Sequence, residues 1–253
     1  SAGLPADACV LLPSTHEATA ALLSAVGYVD VCIPRGGRKL IDFVRDNARV
    51  PVIETGAGVV HAYFDSMGDV AMGAAIVGNA KTRRVSVCNA LDTLLIARDR
   101  LADLPALTAP LAAKNVELHC DAEALEALRG NYPDALLREA AADDPDREWM
   151  DYKMGIYTVA GVDEAIGHIA RHGSGHSETI ITDDEAAADR FRNLVDASCV
   201  YVNLPTSFTD GGQFGLGAEI GISTQKLGPR GPMGLTALTT TKYLLTGRGQ
   251  LRP

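Results

Sequence analysis

The feature that most restricts the fold of this 253-residue chain is an alternation of short apolar runs with segments of helical period. Runs rich in β-branched residues at 29–33, 50–54, 93–97, 116–119, 155–159, 178–182 and 198–203 read as strands. Helical spacing fills 39–47, 66–80, 122–129, 162–171 and 184–195 between them. Successive strand, helix and strand segments have one favoured packing, a right-handed crossover onto a parallel sheet, so the chain is expected to be α/β throughout. Ahead of these units, Ser14 and Glu17 frame a capping box that opens a helix running to about Val26.

A content of 47% hydrophobic and 22% charged residues suits a globular chain able to bury one large or two modest cores. The net charge of −9, with Lys81–Arg84 the main basic cluster, argues against a nucleic-acid partner. No apolar run approaches the roughly 20 residues that span a bilayer, and the opening lacks a signal pattern, so a cytoplasmic protein is expected. Five cysteines without metal-type spacing suit a reducing compartment, and no metal is expected. Cys9, Cys32 and Cys199 read as core packing, and Cys120 ends the run from Asn115, whereas Cys88 sits among polar turn residues.

Three stretches depart from the alternation. The polar segment 138–147 reads as a surface excursion, and 204–234 as a long Gly-rich loop system of the kind that is usually functional. The alternating, β-branched segment 237–246 reads as a strand.

Covalent chemistry is suggested by Cys88, which follows Glu54 by 88 − 54 = 34 residues. A thiolate forms acyl and hemithioacetal bonds readily, and a carboxylate brought near it can take its proton. A buried inert cysteine and a cofactor-free acyltransferase pairing Cys88 with a histidine are the alternatives. Arg35, Gly36 and Gly37, between a strand and a helix, form either a tight turn or a backbone cradle for a pyrophosphate. Lys81, Arg83, Arg84, His176 and Arg230 are the candidate anion ligands, although each alone is more often a surface charge. His176 stands out because Gly173, Gly175 and Ser177 leave its ring room to enter a cleft.

The stretches Ile33–Gly37, Pro51–Gly58, Ser86–Ala90, Gly173–Ser177 and above all Phe208–Gln225 together resemble the gamma-glutamyl phosphate reductase family, within the aldehyde dehydrogenase superfamily. The resemblance runs from Ser1 to about Arg252 and implies an aldehyde-dehydrogenase-like fold, of which this chain holds the C-terminal part. Residues 1–55 would be the second half of a Rossmann-like NADP-binding domain, 56–236 the parallel α/β catalytic domain with Cys88, and 237–253 a C-terminal strand for oligomerisation. The implied reaction is NADPH-dependent reduction of L-glutamyl 5-phosphate to L-glutamate 5-semialdehyde and phosphate, in proline biosynthesis, through a Cys88 thioester. Glu54 is then a candidate base. Arg35, Gly36, Gly37 and Glu148 would hold NADPH, with Glu148 on a ribose, while Arg84, Asn89, His176, Thr209 and Asp210 would hold the substrate. The resemblance further implies a homo-oligomer, dimer or tetramer, and functional coupling to glutamate 5-kinase. The alternatives are a catalytically incompetent fragment of that enzyme and another acylating aldehyde dehydrogenase.

Overall fold

A computed structural model describes residues 3–253. Seven strands, β1 (His61–Phe64), β2 (Thr93–Ala97), β3 (Glu117–Cys120), β4 (Leu137–Glu139), β5 (Lys153–Val159), β6 (Ser177–Ile181) and β7 (Cys199–Val202), form one sheet. Its order is β4-β3-β5-β2-β1-β6-β7, and every pairing is parallel. The helices are α1 (His16–Leu23), α2 (Arg38–Asn47), α3 (Val70–Thr82), α4 (Leu104–Ala112), α5 (Ala122–Leu128), α6 (Val162–His172) and α7 (Glu185–Leu194). A short antiparallel pair, β8 (Gly221–Ser223) and β9 (Gly231–Met233), folds within the Gly-rich segment.

Both faces of the sheet are covered, so its central strands are apolar on both sides. Ala62, Phe64, Leu94, Ile96 and Ile156 pack with Ile76, Val77, Leu104, Leu107 and Leu111 of α3 and α4, and with Ala124 and Leu128 of α5. On the other face Tyr63, Leu95, Val159 and Ile180 meet Ala165, Ile169, Ala187 and Phe191 of α6 and α7. Asp69, Asp121 and Asp184 cap α3, α5 and α7 by accepting N–H bonds from Met72, Ala124 and Ala186 at 2.7 to 2.9 Å. Helices α3 and α4 approach closely at Gly73, where a Cβ would sit 2.7 Å from Leu107 Cδ2.

The structure alters several expectations. The cap of α1 is Thr15, whose Oγ1 accepts from Ala18 N at 3.1 Å, and the helix ends at Leu23 rather than Val26. The runs 29–33 and 50–54 reduce to a single parallel bridge, Cys32 with Val52. Strand β1 and helix α4 lie outside the expected elements, and β4 runs into the start of the expected surface excursion. Segment 237–246 pairs with no strand of its own chain: beyond a short 3₁₀ turn at Leu235–Leu238 it has no regular secondary structure and is exposed. Cys9 is exposed rather than packed. Among the described residues, no helix is long and apolar enough to cross a membrane.

Candidate active site

Three connections lead into the amino ends of neighbouring strands and meet there: 57–60 before β1, 83–92 before β2 and 148–152 before β5. Together with 35–37 and parts of 209–222 they enclose a cavity of about 750 Å³. Arg35, Gly36, Gly37, Arg83, Arg84, Cys88, Asn89, Glu148, Thr209, Asp210 and Glu219 are among its walls. Residues scattered over the sequence as nucleophile, cofactor and substrate candidates are thus neighbours.

Cys88 is held in the link between α3 and β2 by a tight turn, with Ala90 N donating to Val87 O at 3.0 Å and Leu91 N to Ala80 O at 3.1 Å. Asn89 fixes the loop against the Gly-rich segment: its Nδ2 donates to Thr209 O at 2.9 Å, while Thr206 Oγ1 donates to its carbonyl at 2.9 Å. Gly58 lies against the Cys88 backbone, and a Cβ there would be 1.7 Å from the Cys88 carbonyl oxygen. The same Gly58 donates its N–H to Glu148 Oε1 at 3.0 Å, so one small residue joins the thiol loop to the carboxylate.

Burial, followed by the charges of Glu219 and Glu148, pushes the Cys88 thiol up to about 11, against the opposing pull of Arg35. The polar sequence around Cys88 therefore does not make a thiolate-favouring site, chiefly because the sulfur is buried and then because two carboxylates act on it. The acids of the wall are themselves held by backbone amides: Glu219 Oε2 accepts from Gly211 N at 2.7 Å, and Asp210 Oδ1 from Gly212 N and Gln213 N at 2.8 and 3.0 Å. Arg35 spends one nitrogen on Ile220 O, at 2.6 Å. Arg83 and Arg84 stand exposed at the rim.

Four candidates lie elsewhere. Glu54 is half-buried with its N–H on Gln225 Oε1 at 3.1 Å, and it is not among the residues lining the cavity. His176 is wholly buried at the head of β6, because the small residues around it let the chain close over the ring rather than open a cleft. Arg230 pairs with Asp196 at 2.8 Å on the surface. Lys81 is fully buried on α3 and its Nζ has no hydrogen-bond partner.

Lys81 answers Asp92, a buried carboxylate just before β2. Asp92 Oδ2 accepts from Val60 N at 3.3 Å and Oδ1 from Trp149 N at 2.9 Å, tying together the leads into β1, β2 and β5. Burial drives the Asp92 carboxyl up and the Lys81 ammonium down, and each offsets part of the other's shift.

Similarity to known proteins follows this geometry. The gamma-glutamyl phosphate reductase of Phocaeicola vulgatus is 58% identical over 242 residues, covering 96% of this chain and 58% of that protein. The chain is a relative of the gamma-glutamyl phosphate reductases. That of Pelodictyon phaeoclathratiforme is 57% identical over 251 residues, 99% of this chain and 60% of that protein. The chain thus spans about 58 to 60% of the length of these curated relatives. The crystal structure of the gamma-glutamyl phosphate reductase from Thermotoga maritima superposes with a TM-score of 0.89 at 41% identity, over 94% of this chain and 56% of that one. An acetylating aldehyde dehydrogenase from Geobacillus thermoglucosidasius shares the fold, with a TM-score of 0.71 at 17% identity over 94% of this chain and 61% of that one. No protein-family model matches the chain.

Sequence reasoning missed Glu219 and Asp92. Glu219 had a usable signal, a lone acid between Gly217 and Gly221 in the most specific motif. Asp92 had none, since an acid before an apolar run normally reads as solvated.

Proposed function

We propose that the chain carries out reduction of L-glutamyl 5-phosphate to L-glutamate 5-semialdehyde, with Cys88 as nucleophile. The observation that carries this reading is the placement of the Cys88 thiol in a cavity where the acids are already held by amides and the rim is cationic. An acyl phosphate brings both an electrophilic carbonyl and an anion for Arg83 and Arg84. The thiol sulfur bonds to the C5 carbon, the bond from C5 to the phosphate oxygen breaks, and phosphate departs with the electron pair. With the thiol at about 11, the attack needs a proton acceptor, and Glu219 and Glu148 are the wall carboxylates whose charges act on it. Asn89 and Gly58 keep the thiol loop in place during the exchange.

A nicotinamide cofactor fits the same cavity. Gly36 and Gly37 bring the amino end of α2, which has no side-chain cap, to its wall beside Arg35, a setting for phosphate. Glu148 accepts one N–H through Oε1, which leaves Oε2 for ribose hydroxyls. When bound, NADPH would supply the hydride. An engineered glycolyl-CoA reductase that shares the fold, with a TM-score of 0.58 at 17% identity, holds NADP+, which agrees with this assignment. The acyl phosphate is too labile to accumulate, which favours coupling to the kinase that forms it. The exposed tail with Tyr243, Leu244 and Leu245 suits strand addition to a second copy, and with it a homo-oligomer.

The test is iodoacetamide alkylation read by peptide mass, with and without L-glutamate 5-semialdehyde. Exposed Cys9 is expected to react in both samples. Protection of Cys88 alone supports the reading; equal alkylation of Cys88 in both samples overturns it.

A further inference from the structure

His176 is a fully buried titratable group that the proposed reaction does not use. It is not isolated. Its Nδ1 lies 2.8 Å from Ser177 Oγ, which lies 2.6 Å from Thr209 Oγ1, which lies 2.8 Å from Tyr201 Oη. The chain of polar atoms ends at the cavity, because Thr209 lines it and accepts the Asn89 amide on its carbonyl, one residue from Cys88.

Counting hydrogens shows what the imidazole does. Three hydroxyls and one ring nitrogen share three links, and each hydroxyl has a single hydrogen to give. Burial lowers the His176 pKa to about 4, so the ring is neutral and only one of its nitrogens carries hydrogen. If Nδ1 accepts, Ser177 donates to it, Thr209 to Ser177 and Tyr201 to Thr209. If Nδ1 donates, Ser177 accepts from it and the Ser177 hydrogen is freed, so the directions of the remaining links are no longer fixed by the ring. Nε2 has no hydrogen-bond partner, so Nδ1 is the nitrogen through which the ring acts.

We infer that His176 is a positioning residue for Cys88, acting through its Nδ1 on Ser177 and Thr209, and from the Thr209 backbone on Asn89. The inference rests on the reading of Cys88 as the reacting thiol. A ring that merely filled space would be replaceable by any side chain of similar volume.

The experiment measures the iodoacetamide rate at Cys88 relative to Cys9 in the same sample of the 253-residue chain. His176→Leu and Thr209→Val should each change that ratio by about tenfold, and the double variant should change it no further, as expected of residues acting in one network. His176→Asn keeps a polar atom near the Nδ1 position and should stay within about twofold of the parent. If His176→Leu does not fold, Ser177→Ala breaks the same chain with a smaller loss of volume. An unchanged ratio, an Asn variant as altered as Leu, or additive single effects would each overturn the inference. Loss of aldehyde protection at Cys88 in the parent chain, with the coupling intact, would instead count against the proposed function alone.

Discussion

At the level of single residues, the carboxylates beside Cys88 act on it in two opposed ways: they can accept its proton, yet their charge holds that proton on. Glu219→Gln keeps an oxygen for the Gly211 amide while removing the charge. The thiol pKa should fall, the thiolate fraction at pH 8 should rise, and alkylation of Cys88 should accelerate on the order of threefold. A slower reaction would mean that Glu219 works chiefly as a proton acceptor. The sequence made the composition of this cavity readable because motif residues are consecutive: Arg84 and Asn89 flank Cys88, and Thr209 precedes Asp210. It could not show that His176 turns inward or that Glu54 lies outside the wall, since side-chain direction depends on what packs against the ring or carboxylate.

Among elements, apolar runs and amphipathic faces were legible even where buried throughout, as in β2 and β6, and those missed were short, like β1 and β4, or interrupted by proline, like α4. β1 is covered at all four positions, so His61, Ala62, Tyr63 and Phe64 show no period. α4 contains Pro105 and Pro110 in an apolar context, which reads as a break, although a proline near the first turn costs a helix little. The segment 237–246 shows the converse, an alternating pattern that pairs with no strand of its own chain. The elements around the cavity are joined by Asp92 through the Val60 and Trp149 amides, and the buried charges of Lys81 and Asp92 offset each other, so removing one leaves the other uncompensated. Lys81→Met and Asp92→Asn should each destabilise by roughly 3 to 5 kcal/mol, whereas the double variant should recover most of the loss. Thermal melts of the three variants check this, and an additive double variant would show that the two groups do not compensate each other.

For the molecule as a whole, two buried imidazoles set a response to acid. Burial, with the charges of His61, His172 and Arg171, lowers His168 to about 3, and burial lowers His176 to about 4. Both folded values lie below the ordinary 6.5, so the stability they contribute is fully present above pH 6.5. It is lost as the pH falls, because the unfolded chain then takes up protons that the folded chain refuses. Each group should remove about 1.4 kcal/mol per pH unit below 6.5, down to its folded value. Urea unfolding between pH 7.5 and 5 should therefore show a shallower slope for His168→Phe than for the parent, and equal slopes would contradict the assignment. The position of the cavity has a wider consequence. In a parallel sheet the helices run against the strands, so the amino edge of the strands faces helix carboxyl ends, where the backbone presents about half a negative charge. The carboxyl end of α3 points at the Cys88 loop, and it is there that Lys81, Arg83 and Arg84 lie. An anion entering beside this helix is attracted by arginine side chains against the field of the backbone. Its recognition is therefore open to retuning by substitution, in a way that a phosphate cradle made of helix amides is not.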